Sequence, residues 1–296
     1  MASRNPSPIR RPYHIISIPK MLNATGSGAL MINLLLFFYD LIIIQKKLPI
    51  VIKVWYYFYM KYEKVIEGKF IERPNRFIAA VEVEGIMTFA HVKNTGRCRE
   101  LLVPGAKIYL EDFIGRMGER KHRYSLIGVE KNTSRGTLMV NMDSQAPNKV
   151  IKASLENGEL DLPGMSDLTL VKPESAVGKS RLDFYVEDDR GSKAFIEVKG
   201  VTLENNGEAM FPDAPTERGI RHLEELSETV RCGYLAFVIF VIQMDGIKCF
   251  RPNDAGHRAF GDALRRAKKN GVIPLAYQCV CTPDSMKIKN KIKIIL

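Results

Sequence analysis

Hydrophobic and polar residues alternate through residues 180–200, the segment around which the rest of the chain is arranged. Successive side chains of a β-strand point to opposite faces, so this alternation is typical of strands. The apolar positions that share one face of each strand are Leu182, Phe184, Val186, Ile196 and Val198. Residues 188–192 between the two runs are of types that favour turns. The pattern therefore predicts a β-hairpin whose other face carries charged residues.

Between residues 60 and 142, the alternation comes in short runs separated by turn residues. The runs predict six strands, over 64–71, 77–83, 86–92, 107–113, 124–131 and 137–142. Arg73-Pro74-Asn75 is predicted to form the turn between the first two. Several short strands without a long helix are typical of a compact barrel. We therefore expect a small β domain over residues 60–142.

Residues 143–296 combine amphipathic runs with strand-like runs. The predicted helices cover 147–156, 215–232 and the residues from a cap at Asn253 or Asp254 to Asn270. The predicted strands cover 168–171, 234–242, 247–250, 272–280 and 287–296. Asp245-Gly246 should join two of these strands in a hairpin, and the alternating lysine and isoleucine of the last strand favour a sheet edge. This order predicts a mixed α/β sheet flanked by helices.

The charged face of the hairpin suggests chemistry. If its two strands align, Asp183, Glu197 and Lys199 converge. Two carboxylates in a half-buried setting repel each other and lose hydration, and a divalent cation offsets both costs. Mg²⁺ takes oxygen ligands from one or two carboxylates, and Mn²⁺ accepts similar ligands. The trio predicts either a metal-dependent hydrolytic site, with Lys199 beside the attacking water, or a structural ion network.

Three further residues bear on this site. Glu174, just ahead of the hairpin, is either an additional metal ligand or a solvated loop residue. Asp213 either caps the helix over 215–232 or joins the acidic site. We interpret His222, on that helix, as an ordinary surface histidine and not as a metal ligand.

Five segments resemble a known family: RPNRFIAAVEV from Arg73, HVKNTGRCRELLVPGA from His91, GKSRLDF from Gly178, IEVKGVTL from Ile196 and FPDAPTERGIRHLEEL from Phe211. In order and spacing they resemble the sugar fermentation stimulation protein A family over nearly all of residues 60–296. Asp on one strand followed by Glu-x-Lys on the next is also the PD-(D/E)xK nuclease pattern. The resemblance implies an OB-like barrel followed by a PD-(D/E)xK-like domain.

The same resemblance implies a DNA-binding protein with a regulatory role in sugar (maltose) metabolism. Dispersed basic clusters without a recognition-helix motif predict that binding is largely sequence-nonspecific. Family membership does not by itself imply turnover, because the family is described chiefly by DNA binding. The intact trio keeps the alternative open, a Mg²⁺-dependent nuclease that hydrolyses phosphodiester bonds. No glycine-rich phosphate loop or fingerprint of a small-molecule cofactor is present in the sequence.

The net charge of +11 favours an anionic partner such as DNA. Residues 1–59 hold seven of the 44 basic residues and one of the 33 acidic residues, so residues 60–296 carry only +5. A DNA interface must therefore come from local clusters, although basic loops are also commonly just solvated. The predicted DNA-contacting residues are Lys93, Asn94, Thr95, Arg97, Arg120, Lys121, Arg123, Arg181, Arg218 and Arg221. Phe77, Phe89 and Tyr124 are candidate base-stacking platforms whose default role is core packing.

Residues 1–59 differ in character from the remainder of the chain. Their apolar runs, 28–44 and 48–60, are each short for a membrane-spanning helix of about 20 residues. We expect translation to begin naturally at Met60, with a membrane anchor through residues 28–60 and a partner-binding extension as the alternatives. Five cysteines without zinc or disulfide spacing predict reduced thiols in a cytoplasmic protein.

Overall fold

The computed structural model of the protein describes residues 60–94, 96–177 and 180–296. The predictions for residues 1–59 and for Thr95 lie outside the described residues. Three β-sheets and three α-helices make up the described part of the chain. Within it, no helix is both long enough and apolar enough to cross a lipid bilayer. Each of the five cysteines is a free thiol.

The first short strand, β1 (Met60–Lys61), precedes a barrel but does not belong to it. The barrel strands are β2 (Val65–Asn75), β3 (Ile78–Val83), β4 (Ile86–Val92), β5 (Lys107–Asp112), β6 (Tyr124–Thr133) and β7 (Gly136–Asn141). They are ordered β4-β3-β2-β5-β6-β7, and parallel pairing of β4 with β6 closes five of them into a ring. This closed five-stranded arrangement is that of an OB barrel, which confirms the predicted fold class for this part of the chain.

The turn between β2 and β3 lies slightly later than predicted. Strand β2 continues through Arg73-Pro74-Asn75 with two irregularities in its pairing to β3. The turn follows at Arg76 and Phe77, where Asn75 Oδ1 accepts the backbone N–H groups of Phe77 and Ile78 at 2.9 and 3.1 Å. The Asn75 side chain thus provides a hydrogen-bond acceptor for both backbone N–H groups at the bend.

A seven-stranded mixed sheet follows, with the order β1-β16-β15-β13-β10-β9-β8. Its later strands are β8 (Leu168–Val177), β9 (Ser180–Asp188), β10 (Lys193–Val201), β13 (Leu235–Ile242), β15 (Ile273–Thr282) and β16 (Ser285–Lys291). The central pairs β10–β13 and β13–β15 are parallel, whereas the β10–β9, β9–β8 and β15–β16 pairs are antiparallel. Strands β9 and β10 form the hairpin predicted from the alternation.

A smaller sheet orders β11 (Leu203–Asn205), β12 (Glu208–Phe211), β14 (Cys249–Pro252) and β17 (Lys293–Ile294). Three helices complete the fold: α1 (Ala146–Glu156), α2 (Glu217–Arg231) and α3 (Asp254–Lys269). The side chain of Thr216 caps α2 by accepting the Gly219 N–H at 3.0 Å, and that of Asn253 caps α3 by accepting the Gly256 N–H at 3.1 Å. Helices therefore flank the mixed sheet, as predicted.

Strand β13 lies at the centre of two hydrophobic cores. Val238, Phe240 and Ile242 pack in one core with residues of the barrel, α2 and α3. Phe237, Ile239 and Val241, on the opposite face of the strand, pack in a second core with residues of α1. An unbroken apolar run is typical of a strand covered on both faces, and this packing explains it.

Two predicted pairings are wrong. Asp245-Gly246 does not connect β13 to an antiparallel partner, because β14 pairs in parallel with β12 in the smaller sheet. Residues 287–296 do not form one edge strand but are divided between β16 and β17, which lie in different sheets. Strand β1 also pairs with the first two residues of β16. Alternation indicates an extended conformation but does not specify the partner strand.

Candidate metal centre and nucleic-acid interface

Strands β9 and β10 stop pairing next to Asp183 and Glu197, the two predicted carboxylates. Their paired positions end at Phe184 and Ile196. Beyond this pair, the Val198 N–H donates to Asp183 Oδ2 at 2.8 Å, and Asn148 Nδ2 from α1 donates to Asp183 Oδ1 at 2.7 Å. The Asp183 carboxylate is therefore held between a strand and a helix by two neutral donors.

Glu197, on β10, is 3% exposed and has two unlike carboxylate oxygens. Its Oε1 accepts hydrogen bonds from Lys199 Nζ at 2.5 Å and from His222 Nδ1. Its Oε2 is buried and has no hydrogen-bond partner among the described residues. The three predicted catalytic residues thus include one buried oxygen that no donor in the described part of the chain satisfies.

The two carboxylates have pKa values displaced in opposite directions. Burial, and then the charge of Glu197, raise the pKa of Asp183 above its ordinary value. Burial would also raise the pKa of Glu197, but the hydrogen bond from His222 and the charge of Lys199 outweigh it and lower that pKa. Glu197 is therefore the more acidic member of a coupled pair.

His222 is 4% exposed, so the prediction of an ordinary surface histidine is wrong. Its Nε2 accepts a hydrogen bond from Arg218 Nε at 3.2 Å, which leaves the proton on Nδ1 for donation to Glu197. Lys199 Nζ lies 3.4 Å from His222 Nδ1. A signal existed in the sequence, because His222 is four residues before Leu226 and belongs to the apolar stripe of α2.

The oxygen atoms of Asp183 and Glu197 fit a hard divalent cation. Mg²⁺ binds through one or two carboxylates and keeps several waters, so a pair of carboxylates with an unsatisfied oxygen is sufficient. Within the described ranges, no group of three or more His, Cys, Asp or Glu residues is arranged to hold a metal ion. The remaining ligands would therefore be water or phosphate oxygens.

The other two acidic candidates have different partners. Glu174 is exposed on β8, and its carboxylate accepts a hydrogen bond from Arg181 Nη1 at 2.9 Å. Its role as a ligand stays a prediction. Asp213 neither caps α2 nor pairs with the site carboxylates, since its Oδ2 accepts the Arg97 N–H at 3.1 Å. This bond ties the barrel loop after β4 to the segment that leads into α2.

Several of the predicted DNA-contacting cations already have partners within the protein. The paired cations are Lys93 with Glu111 and Asp143, Arg123 with Asp112, and Arg181 with Glu174. Arg218 has its Nε bonded to His222. These internal partners make the side chains less available to DNA. The sequence pattern does not reveal the pairing.

Other predicted contacts keep their charge available. Arg97, Lys121 and Arg221 are exposed and form no ion pair among the described residues. The Arg120 guanidinium lies 3.6 Å from the centre of the Phe113 ring and also forms no ion pair in the described part. Asn94 is used locally, because its Oδ1 accepts the Gly96 N–H at 2.8 Å.

A basic groove of about 320 Å³ lies beside the barrel loop after β4. It is lined by Arg73, Asn75, Arg76, Gly96, Arg97, Arg99 and Leu102. Arg73 Nη1 donates to the carbonyls of Gly96 and Arg97, and its Nη2 donates to those of Arg76 and Asn94, at 2.6 to 3.0 Å. The sequence interpretation missed Arg73, which shapes the groove through backbone acceptors and so keeps its positive charge.

Of the three candidate stacking residues, one is buried and two are exposed. Tyr124 is 8% exposed and packs in the core, as its default role predicts. Phe77 and Phe89 are 44% and 51% exposed, so core packing is wrong for both of them.

Together, a closed OB barrel and a mixed sheet with Asp and Glu-x-Lys on adjacent strands define an OB-plus-PD-(D/E)xK-like architecture. The family model described as SfsA N-terminal OB domain matches residues 71–140. The family model described as sugar fermentation stimulation protein RE domain matches residues 145–285.

Full-length relatives lead to the same family. The chain is 51% identical over 237 residues to a sugar fermentation stimulation protein homolog of Clostridium beijerinckii, covering 80% of this chain and 100% of that protein. It is 51% identical over 228 residues to the homolog of Desulfitobacterium hafniense, covering 77% and 95%. A structure described as Pyrococcus furiosus SfsA in complex with Ca²⁺ aligns with a TM-score of 0.70 and 27% identity over 80% of this chain and 98% of that one. The chain belongs to the sugar fermentation stimulation protein (SfsA) family.

Proposed function

We propose that this protein binds DNA and hydrolyses its phosphodiester bonds with a divalent cation held by Asp183 and Glu197. The observation that carries the proposal is Glu197 Oε2, a buried oxygen without a donor among the described residues, on the strand next to the one that carries Asp183. A buried acceptor without a partner costs about 1–3 kcal/mol, and a bound cation offsets that cost. The Ca²⁺ complex described for the Pyrococcus furiosus relative supports a site for a hard, oxygen-liganded cation.

The site residues divide the work between them. When bound, Mg²⁺ or Mn²⁺ supplies charge stabilisation at the phosphoryl group and an acidified water. Asp183 and Oε2 of Glu197 would hold the ion. His222 donates to Oε1 of Glu197, which keeps that carboxylate ionised and Oε2 available. Lys199 Nζ, which lies 2.5 Å from Glu197 Oε1, would orient the attacking water.

Basic residues outside the centre hold the substrate. Arg221 is exposed near the N-terminal end of α2, where unpaired backbone N–H groups and the helix dipole favour phosphate. The groove that contains Arg97 and Arg99 supplies further phosphate contacts. None of these contacts reads base edges, so we propose that binding is largely independent of sequence.

Cleavage of plasmid and oligonucleotide DNA by the full chain, with and without Mg²⁺ or Mn²⁺, tests the proposal. We expect metal-dependent cleavage that is lost in Asp183→Asn, Glu197→Gln and Lys199→Ala, while DNA binding is retained in all three. Asp189→Asn is the matched control, because it removes an exposed carboxylate from the turn between β9 and β10, outside the metal centre. Unchanged cleavage by Glu197→Gln, or no cleavage by the unaltered protein with either ion, would overturn the hydrolytic proposal.

A second candidate function is DNA binding without turnover, with a regulatory role in sugar metabolism. It is favoured by the pairing of Lys199 with Glu197 and by the presence of only two assembled carboxylates in the described region. The name of the relatives associates the family with sugar fermentation. Transcript levels of sugar-use genes in a deletion strain test this role. Restoration by the Asp183→Asn protein supports binding without turnover, whereas restoration only by the unaltered protein supports hydrolysis.

A further inference from the structure

Two exposed phenylalanines mark one side of the barrel. Phe77 lies in the turn between β2 and β3, and Phe89 lies on β4. In the β3–β4 pairing, Ala80 faces Phe89 and Ile78 faces His91. Because strand side chains alternate, these four residues share the outer face of the hairpin, while the residues between them fill the barrel core. Ile86 and Met87 on the same hairpin are also exposed, and an exposed apolar surface bordered by polar residues is typical of a binding site.

A pocket of about 410 Å³ is formed at this face. Its lining residues are Phe77, Ile78, His91, Arg120, Lys121 and His122. The first three come from the hairpin side, and the last three come from the loop between β5 and β6. The pocket therefore combines flat or apolar side chains with a cationic rim.

The rim carries uncompensated positive charge. Arg120 and Lys121 form no ion pair among the described residues, and the Arg76 guanidinium lies 4.6 Å from the centre of the Phe77 ring. Burial lowers the pKa of His91, and the charges of Arg120, Lys93 and His122 lower it further. His91 is therefore an uncharged flat ring at neutral pH, within a field that attracts phosphate.

We propose that this pocket and the adjoining Phe89 bind unpaired bases of single-stranded DNA, an inference that rests on the DNA-binding function proposed above. Proteins that bind single strands combine basic groups along the backbone with aromatic side chains on which bases stack. In OB barrels, the face formed by the second and third strands and the loops beside it is where oligonucleotides bind. Strands β3 and β4 are the second and third strands of this barrel.

The geometry discriminates against paired bases. A base inside a duplex has both faces covered by its neighbours, so it cannot stack on Phe77 or Phe89 unless it leaves the helix. Duplex DNA would contact only the cations of the rim and the groove. The phenylalanines therefore confer a preference for single-stranded segments, such as gaps, ends or extruded bases.

Fluorescence anisotropy with a labelled oligo(dT) of ~12 nucleotides, and with the same strand in a duplex, tests the inference on the full chain. We expect Phe77→Ala and Phe89→Ala each to weaken single-strand binding by about tenfold, consistent with the known strength of base–aromatic stacking. Duplex binding should change by less than about twofold, since rim cations are retained. Phe77→Tyr and Phe89→Tyr should restore single-strand affinity. Ile86→Ala is the matched control, because Ile86 is 69% exposed on the same hairpin but lies outside the pocket.

The outcomes separate this inference from the proposed function. Unaltered single-strand affinity in both alanine variants, or equal losses on single strand and duplex, overturns base stacking while leaving DNA binding in place. Absence of binding to either DNA by the unaltered protein overturns both. Photocrosslinking of bromodeoxyuridine-substituted oligonucleotides provides a second readout, with adducts expected at the pocket. Adducts confined to α2 would contradict the assignment.

Discussion

His222 and Lys199 determine the state of Glu197, because both donate to Oε1 and leave Oε2 without a donor among the described residues. Lys93 shows the same dependence on partners, since its pairing with Glu111 and Asp143 turns a predicted DNA contact into an internal ion network. The sequence identified the chemical types at Asp183 and Glu197. It did not identify the partners Asn148 and His222, which come from distant parts of the chain.

Asp112 provides a prediction at the residue scale. Its carboxylate is buried and accepts hydrogen bonds from Arg123 Nε and Nη2 at 2.7 and 2.8 Å. The Arg123 guanidinium holds the pKa of Asp112 well below its usual range. Since the folded pKa is lower than the unfolded value of about 3.9, this pair stabilises the fold above that value and loses its effect as pH falls further.

We therefore expect Asp112→Asn to lower the free energy of unfolding at pH 7 and to flatten its decline below about pH 5. Urea unfolding at a series of pH values measures both effects. Asp167→Asn is the control, because Asp167 is exposed and forms no ion pair in the described part of the chain. An acid dependence that is the same in the Asp112 variant and the unaltered protein would contradict the assignment.

At the scale of elements, strand β10 is positioned by a close approach at Gly200. A Cβ atom at residue 200 would lie 2.5 Å from Gln243 Oε1 and 2.8 Å from Pro147 Cγ. Gln243 cannot yield easily, because its Nε2 donates to the carbonyls of Asn141 and Asp143 at 3.0 and 3.1 Å. Glycine at this position thus lets α1 and the end of β13 pack against the strand that carries Glu197 and Lys199.

We expect Gly200→Ala to lower the free energy of unfolding by about 1–3 kcal/mol through overpacking. Chemical denaturation measures the loss. Lys193→Ala, at an exposed position on the same strand, should change stability by less than about 0.5 kcal/mol. A Gly200→Ala protein as stable as the Lys193 variant would show that the contact is relaxed in solution.

Local pattern predicted most strands and all three helices, because side-chain alternation and capping residues act over a few positions. The same pattern failed where distant partners decide the outcome. Lysine and isoleucine alternate through most of residues 287–294, yet this segment divides between two sheets, because β17 pairs with β14. The hairpin of β11 and β12 was missed because runs of three and four residues carry too little periodicity.

Across the whole molecule, the distribution of charge matters more than its sum. The modest net positive charge of residues 60–296 is unevenly distributed. Some cations are paired with carboxylates, whereas Arg97 and Arg99 in the groove form no ion pair within the described ranges. Phosphate-dominated binding follows counterion release, with the logarithm of affinity falling by about 0.9 per contact for each logarithm of salt. A sequence gives the count of basic residues, but only the fold shows which of them remain available.

We expect DNA affinity to fall steeply with salt, and the Arg97→Ala and Arg99→Ala double variant to reduce the slope by about 2. Binding titrations at several salt concentrations measure the slopes. Arg265→Ala is the control, because Arg265 is paired with Asp254 and Asp262 on α3. A slope unchanged by the double variant would show that the groove does not contact DNA.

The central claim is that Asp183 and Glu197 hold a divalent cation. Titration calorimetry of Mn²⁺ into the full chain tests it most directly, with Glu197→Gln as the comparison. The structure predicts saturable binding at a single site in the unaltered protein and its loss in Glu197→Gln, because the variant replaces an ionised carboxylate with a neutral amide. The absence of binding in the unaltered protein, or equal binding in the variant, would contradict the metal centre and leave the trio as a structural ion network.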